Sequence, residues 1–274
     1  MKISWRINNG NVFEKNPIQA TELPEGQMYQ TMDRLKEVGV DAISFSNGEM
    51  FAMKNADNVL KASSEKGFKT AVTTNARFLT KEKFDKCKKY LNKLTFTLDF
   101  ENDKDNKQSQ TYIQYLTEMI GYINKVEPKM DVEVNTVVCL ENMAYLLKMS
   151  KELETVKIKN WNLYEFSLVR GRLADNFGKT EAPSVSYKEV IRFLRERSQL
   201  PICDFAKDNI QNQAVIVNHQ TLKCVYGDKE TCLLEDVNRS SLIALGRAID
   251  SATKVKLKHC NIENNKIKPI EMLY

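Results

Sequence analysis

Between residues 48 and 172 the chain sets out polar side chains just behind short β-branched or aromatic runs. Gly48 and Glu49 follow Ala42–Phe45, Asn75 follows Lys69–Thr74, and Asp99 follows Leu94–Leu98. Asn135 lies within Val132–Val138, and Arg170, Gly171 and Arg172 come after Trp161–Phe166. A carboxylate such as Glu49 can hold an amine, and Asp99 can hold hydroxyls. Carboxamides serve either partner, and guanidiniums suit a carboxylate or phosphate. The same groups also suit acid/base work, with Glu49 or Asp99 as the titrating group and Arg170 or Arg172 as the anion clamp. Strand ends are polar in any βα protein because they meet water. The collection, rather than any one residue, points to a ligand.

The cysteines form a second set. Of the six, Cys203, Cys224, Cys232 and Cys260 fall in the last quarter of the chain, while Cys87 and Cys139 stand apart. Four thiolates can hold zinc or an iron–sulfur cluster, and His219 or His259 can substitute on zinc. The compact pairs typical of such sites are absent, and small buried cysteines are the plainer reading. With only two histidines, a mechanism built on several imidazoles is excluded.

These residues need elements to position them. Lys2–Ile7 reads as a first strand, followed by an irregular stretch from Asn8 to Leu23. Pro24-Glu25 opens a helix with Met28, Met32, Leu35 and Val38 on one face, and Gly39 ends it. Strands over Ala42–Phe45, Lys69–Thr74, Leu94–Leu98, Val132–Val138 and Trp161–Phe166 alternate with helices near Ala56–Glu65, Lys81–Leu91, Ile113–Ile123, Met143–Leu153 and Tyr187–Arg197. Repeated βα units predict a parallel sheet with right-handed crossovers, too short to close a TIM barrel. The fold class is therefore α/β, either a partial (β/α)6 TIM-like barrel or a doubly wound sheet. Ligands of such sheets bind at the carboxyl ends of the strands. Residues 1–200 form this body. Residues 201–274 read as a small α+β extension, with a hairpin over Ala214–Val217 and Leu222–Val225 and a helix over Ser240–Ser251.

Composition is that of an ordinary globular chain. It has 274 residues, 42% apolar and 28% charged, and a net charge of +5 that makes no case for nucleic acid. No apolar run reaches the ~20 residues of a membrane span, and Met1–Arg6 lacks a signal-peptide core, so a cytoplasmic protein without membrane contact is expected. The lysines of Lys81–Lys93 make a solvated helix face. Trp5 and Trp161 belong to the core.

Five segments in order resemble the radical S-adenosylmethionine (SAM) enzymes. Phe45-Ser46-Asn47-Gly48-Glu49 is similar to their Gly-Gly-Glu segment, and Thr74-Asn75-Ala76-Arg77-Phe78-Leu79 to Thr-Asn-Gly-x-Leu-Leu. Leu94–Asp99 is similar to a fourth strand ending Ser-Leu-Asp, and Glu133–Val138 with Asn142 to the fifth strand. Leu168–Leu173 resembles the sixth-strand exit of members carrying a twitch or SPASM extension. The resemblance implies a partial barrel in which Gly48 and Glu49 meet the SAM amino group. It assigns Asp99 and Asn135 to the ribose or carboxylate, and Arg170-Gly171 to the adenine end.

The same resemblance breaks at the loop after strand one. Those enzymes carry Cys-x3-Cys-x2-Cys there, whereas Asn8–Asn16 holds no cysteine. The expectation is that no SAM-cleaving [4Fe–4S] cluster forms, with Phe13 and Pro17 fixing the loop in its stead. Cys203, His219 and Cys224 follow the spacing of a twitch or SPASM extension with His219 in the place of its glycine, which implies an auxiliary cluster or zinc. Two functions follow. One is a cluster-less subunit that binds a peptide or metabolite, retains SAM or nucleoside affinity and works beside an active relative in peptide modification. The other is a non-radical enzyme using the rim pocket.

Overall fold

Two helices end in the same way, and each ending delivers a strand. After Glu25–Glu37 (α1), Gly39 N–H donates to Lys36 C=O and Val40 N–H to Leu35 C=O. After Ala56–Glu65 (α2), Gly67 N–H donates to Ser64 C=O and Phe68 N–H to Ser63 C=O. This double closure needs a left-handed residue, and Gly39 (φ 83°) and Gly67 (φ 76°) supply it. The chain then enters Ala42–Phe45 (β2) and Lys69–Thr74 (β3).

The structure is a computed structural model that describes residues 2–7, 24–37, 39–46, 48–98, 107–166, 183–205, 213–217, 221–226 and 229–234. It contains two units, Met1–Ala71 with Gln211–Tyr274, and Val72–Ile210. The class is α/β, parallel strands alternating with helices in the partial, TIM-like arrangement.

In the first unit, Lys2–Arg6 (β1) pairs in parallel with β2, Trp5 opposite Phe45. Ile3, Trp5, Ile43 and Phe45 alternate with polar residues and are fully buried, and the Trp5 and Phe45 rings lie 5.7 Å apart. Alternation gives this sheet one apolar face, and Met28, Met32, Leu35, Val59 and Leu60 of α1 and α2 are also buried. The expected hairpin is present as Gln213–Val217 (β8) and Thr221–Tyr226 (β9). Two features were not legible in the sequence. β8 pairs in parallel with β1, and a third strand, Lys229–Leu234 (β10), pairs antiparallel with β9. The helix expected over Ser240–Ser251 lies outside the described residues.

In the second unit, Lys93–Thr97 (β4), Asp131–Val138 (β5), Asn160–Glu165 (β6) and Ile202–Phe205 (β7) are consecutive parallel neighbours. The sequence reading stopped at six parallel strands. β7 is the seventh, and its four residues, Ile-Cys-Asp-Phe, are too short and mixed to announce themselves. Lys81–Cys87 (α3), Lys107–Val126 (α4), Leu146–Leu153 (α5) and Ser184–Arg197 (α6) complete the unit. No helix among the described residues is long and apolar enough to cross a membrane.

Candidate ligand site

Each unit carries part of the predicted set. In the first, Ser46 N–H continues the β1–β2 ladder by donating to Trp5 C=O, and the Ser4 and Ser46 hydroxyls bond each other. The chain then turns, burying Gly48 and Glu49, and Glu49 C=O accepts Ala52 N–H to start a short 3-10 turn over Met50–Ala52. A glutamate only 6% exposed is held among partners, because an isolated buried carboxylate would be too costly.

In the second unit, the exit of β3 is a tight polar turn. The Thr74 hydroxyl accepts Ala76 N–H at 3.0 Å, and the Asn75 carboxamide oxygen accepts Arg77 N–H at 3.1 Å. Ala76 has φ 61°, the left-handed conformation in which glycine would be unstrained. The Tyr112 hydroxyl donates toward both Asn75 C=O (2.6 Å) and Thr97 C=O (2.8 Å), tying this turn to the end of β4. Asn75 thus spends its oxygen on its own turn. The β5 exit is built similarly. Asn142 accepts Cys139 N–H at 3.0 Å and donates to Val137 C=O at 2.6 Å.

Asn135 sits in a denser network. The sheet register places Thr95, Glu133 and Asn160 in one row and Thr97, Asn135 and Asn162 in the next. Side chains in such rows share a face of the sheet. Lys93 Nζ donates to Glu133 Oε2 at 3.0 Å, and their side chains are 10% and 8% exposed. Asn160 Nδ2 donates to Glu133 Oε1 at 3.2 Å, and Asn162 Nδ2 donates to Glu133 Oε2 at 3.1 Å and to Asn135 Oδ1 at 2.9 Å. Burial pushes the Glu133 carboxyl up, but the Lys93 ammonium and the two carboxamides outweigh it, and its pKa lies below the usual glutamate range. The opposite face of these strands, Leu94, Phe96, Val132, Val134, Trp161 and Leu163, is apolar and buried. Glu133, Asn135 and Asn162 thus form a buried polar stripe on one face of these strands, backed by an apolar layer on the other.

The structure therefore joins Asn135 to Glu133 and Asn162, and Asn75 to the β4 end. The sequence reading missed Lys93, Glu133, Asn160 and Asn162 as a network, and Lys93, expected on a solvated helix face, is instead buried at the start of β4. The signal was present, since buried parallel strands read as continuous apolar runs and these carry polar residues at period two. Asp99, Arg170, Gly171, Arg172, Phe13, Pro17, His219, His259 and Cys260 lie outside the described residues. Cys203 is half-buried on β7, level with Asn162 on β6. Cys224 and Cys232 are direct backbone partners across β9 and β10. Among the described residues, no group of three or more His, Cys, Asp or Glu is placed to hold a metal ion.

No protein-family profile matches the chain. It is similar to two proteins named S-adenosylmethionine-dependent nucleotide dehydratase. One, from Lacinutrix mariniflava, is 23% identical over 72% of this chain and 42% of that protein. The other, from Flammeovirga pacifica, is 24% identical over 66% of this chain and 64% of that protein. The chain spans less than two thirds of the length of either. Among solved structures, Streptococcus suis SuiB bound to S-adenosylmethionine superposes with a TM-score of 0.55 at 17% identity, over 75% of this chain and 50% of SuiB. SuiB bound to its precursor peptide SuiA gives the same TM-score and identity over 74% of this chain and 48% of SuiB.

Proposed function

We propose that this chain, whose fold is the half-barrel of the radical SAM enzymes, binds SAM or a related nucleotide without cleaving it by radical chemistry. The observation that carries the reading is that buried polar groups stand at positions where the resemblance puts SAM contacts, while the segment after β1 has no thiolate. Glu49 is buried at the β2 exit and Asn135 sits in an ordered polar network, yet residues 8–23 contain no cysteine. An iron–sulfur cluster is held by thiolates. Asn, Gly, Phe and Pro offer none, so this donor set does not fit a SAM-cleaving cluster.

SAM fits better. It brings an amine, a carboxylate, ribose hydroxyls and an adenine, and the chain offers a buried carboxylate, carboxamides and the guanidiniums of Arg170 and Arg172. The two similar dehydratases, named for SAM and a nucleotide, support the ligand class. The SAM-bound SuiB supports the fold as one able to hold it. In this reading Asn135, in the second unit, donates to a ligand oxygen, and Glu49, in the first, is a separate candidate for an amine. The chain acts as a binding subunit rather than a radical generator. A peptide is the second ligand class, supported by SuiB with its precursor.

Equilibrium titration with SAM and with a nucleoside triphosphate tests the proposal, alongside anaerobic reconstitution with iron and sulfide. SAM should bind, and Glu49→Ala should weaken binding about tenfold, equivalent to ~1.4 kcal/mol. No 5′-deoxyadenosine should form under reducing conditions. Its production above background refutes the non-radical reading, and a flat SAM titration refutes the ligand.

A further inference from the structure

We infer that Glu133, held by Lys93 and acting through Asn162, sets the polarity of Asn135, so that the ligand atom met there is a hydrogen-bond acceptor. The orientation of each group follows from which of them have a choice. A carboxamide can present its oxygen or its nitrogen to a neighbour, and the surroundings decide. An ionised carboxylate has no such choice, because it only accepts. Lys93 donates to Glu133 and fixes it as an acceptor. Asn162 must then turn Nδ2 toward Glu133, and its second N–H reaches Asn135 Oδ1 at 2.9 Å. Both N–H groups of Asn162 are thereby used. Asn135 is left with its oxygen committed and its own Nδ2 donating to no described residue, in a side chain only 4% exposed.

A buried donor kept in one orientation selects for what it can satisfy, and a site left with an unmatched polar group rejects the wrong ligand. The preferred atom is a carboxylate or hydroxyl oxygen, and an ammonium or amide N–H is disfavoured. Glu133 and Asn162 are positioning residues, since the network reaches the ligand only through Asn135. The inference rests on the SAM reading for its ligand and on the network alone for its polarity.

Two arms keep those apart. In the first, SAM and adenosine are titrated against Asn135→Asp, Asn162→Ala and the double variant. Asn135→Asp should weaken SAM more than tenfold, and Asn162→Ala five- to tenfold although it does not touch ligand. The double variant should be no weaker than Asn135→Asp, because both changes remove one function. Loss with SAM alone identifies a carboxylate oxygen, and loss with adenosine as well identifies a ribose hydroxyl. Wild-type affinity in Asn162→Ala, or additive losses in the double variant, overturns the inference.

The second arm needs no ligand. In 15N-labelled protein the Asn162 side-chain N–H protons should exchange slowly, and Glu133→Gln should speed their exchange at least tenfold and shift the Asn135 side-chain resonances. If Glu133→Gln does not fold, Asn162→Ala should produce the same Asn135 shift. Unchanged Asn135 resonances overturn the relay. A relay confirmed this way in protein that binds neither SAM nor adenosine leaves the polarity standing and sinks the SAM reading instead.

Discussion

Lys93 and Glu133 show how much one buried pair can be made to do. Taking two charges out of water is expensive, and their attraction compensates only when the remaining lone pairs are filled. Here Asn160 and Asn162 fill them. Glu133→Ala should therefore destabilise the protein by about 3–5 kcal/mol, because it strands the Lys93 ammonium, whereas Lys93→Met with Glu133→Met should cost far less. Chemical denaturation of the three proteins checks this, and equal losses for the single and double changes would contradict it. The pair also sets a pH dependence. The folded pKa of Glu133 lies below its unfolded value, so its contribution is complete above the ordinary glutamate range and is lost as pH falls through the lower folded value. The stability gap between wild type and Glu133→Gln should accordingly narrow on acidification. A gap that widens would mean the shift has the opposite sign.

At the scale of elements, the strand exits decide what the site residues are free to do. The turn after β3 uses Thr74 and Asn75 to bond Ala76 and Arg77 N–H groups, and it places Ala76 at φ 61°. A left-handed non-glycine residue costs roughly 1–2 kcal/mol. Part of any gain from glycine is lost to the entropy of the unfolded chain. Ala76→Gly should still raise stability by about 0.5–1 kcal/mol, read as a higher denaturation midpoint with an unchanged slope. A lower midpoint would mean that the buried Ala76 methyl group contributes more than the strain removes. Tyr112 ties the same turn to β4, so Tyr112→Phe should loosen both exits together. Faster amide exchange in the turn after Asn75 but unchanged exchange through β4 would show the two exits to be independent.

For the whole molecule, the βα repeat was legible because each strand and helix announces itself locally. Apolar period, Pro24-Glu25 at a helix start and Gly39 and Gly67 at helix ends are all short-range signals. Among the late strands the β8–β9 hairpin was legible, but β7 is too short and mixed to announce itself, and the pairing of β8 with β1 joins residues far apart in sequence. If Cys203, Cys224, Cys232 and Cys260 hold zinc or an auxiliary cluster, purified protein should contain metal that Cys203→Ser with Cys224→Ser removes. Metal content unaffected by those changes would count against the site, and the Cys224–Cys232 backbone pairing would then be a feature of the hairpin alone.

The sequence by itself determined the α/β class, the βα order, the burial of Trp5 and Trp161, and the lack of thiolates after β1. Those properties follow from residue type and local period, which need no partner. Tertiary structure decided the rest of the second unit's chemistry. Whether Asn135 offers its oxygen or its nitrogen depends on Asn162, 27 residues away, and on Glu133 and Lys93 beyond it. Sequence shows that four polar residues occupy three strands. Only the register of those strands, with Asn135 opposite Asn162, turns them into one chain of donors and acceptors with a single direction.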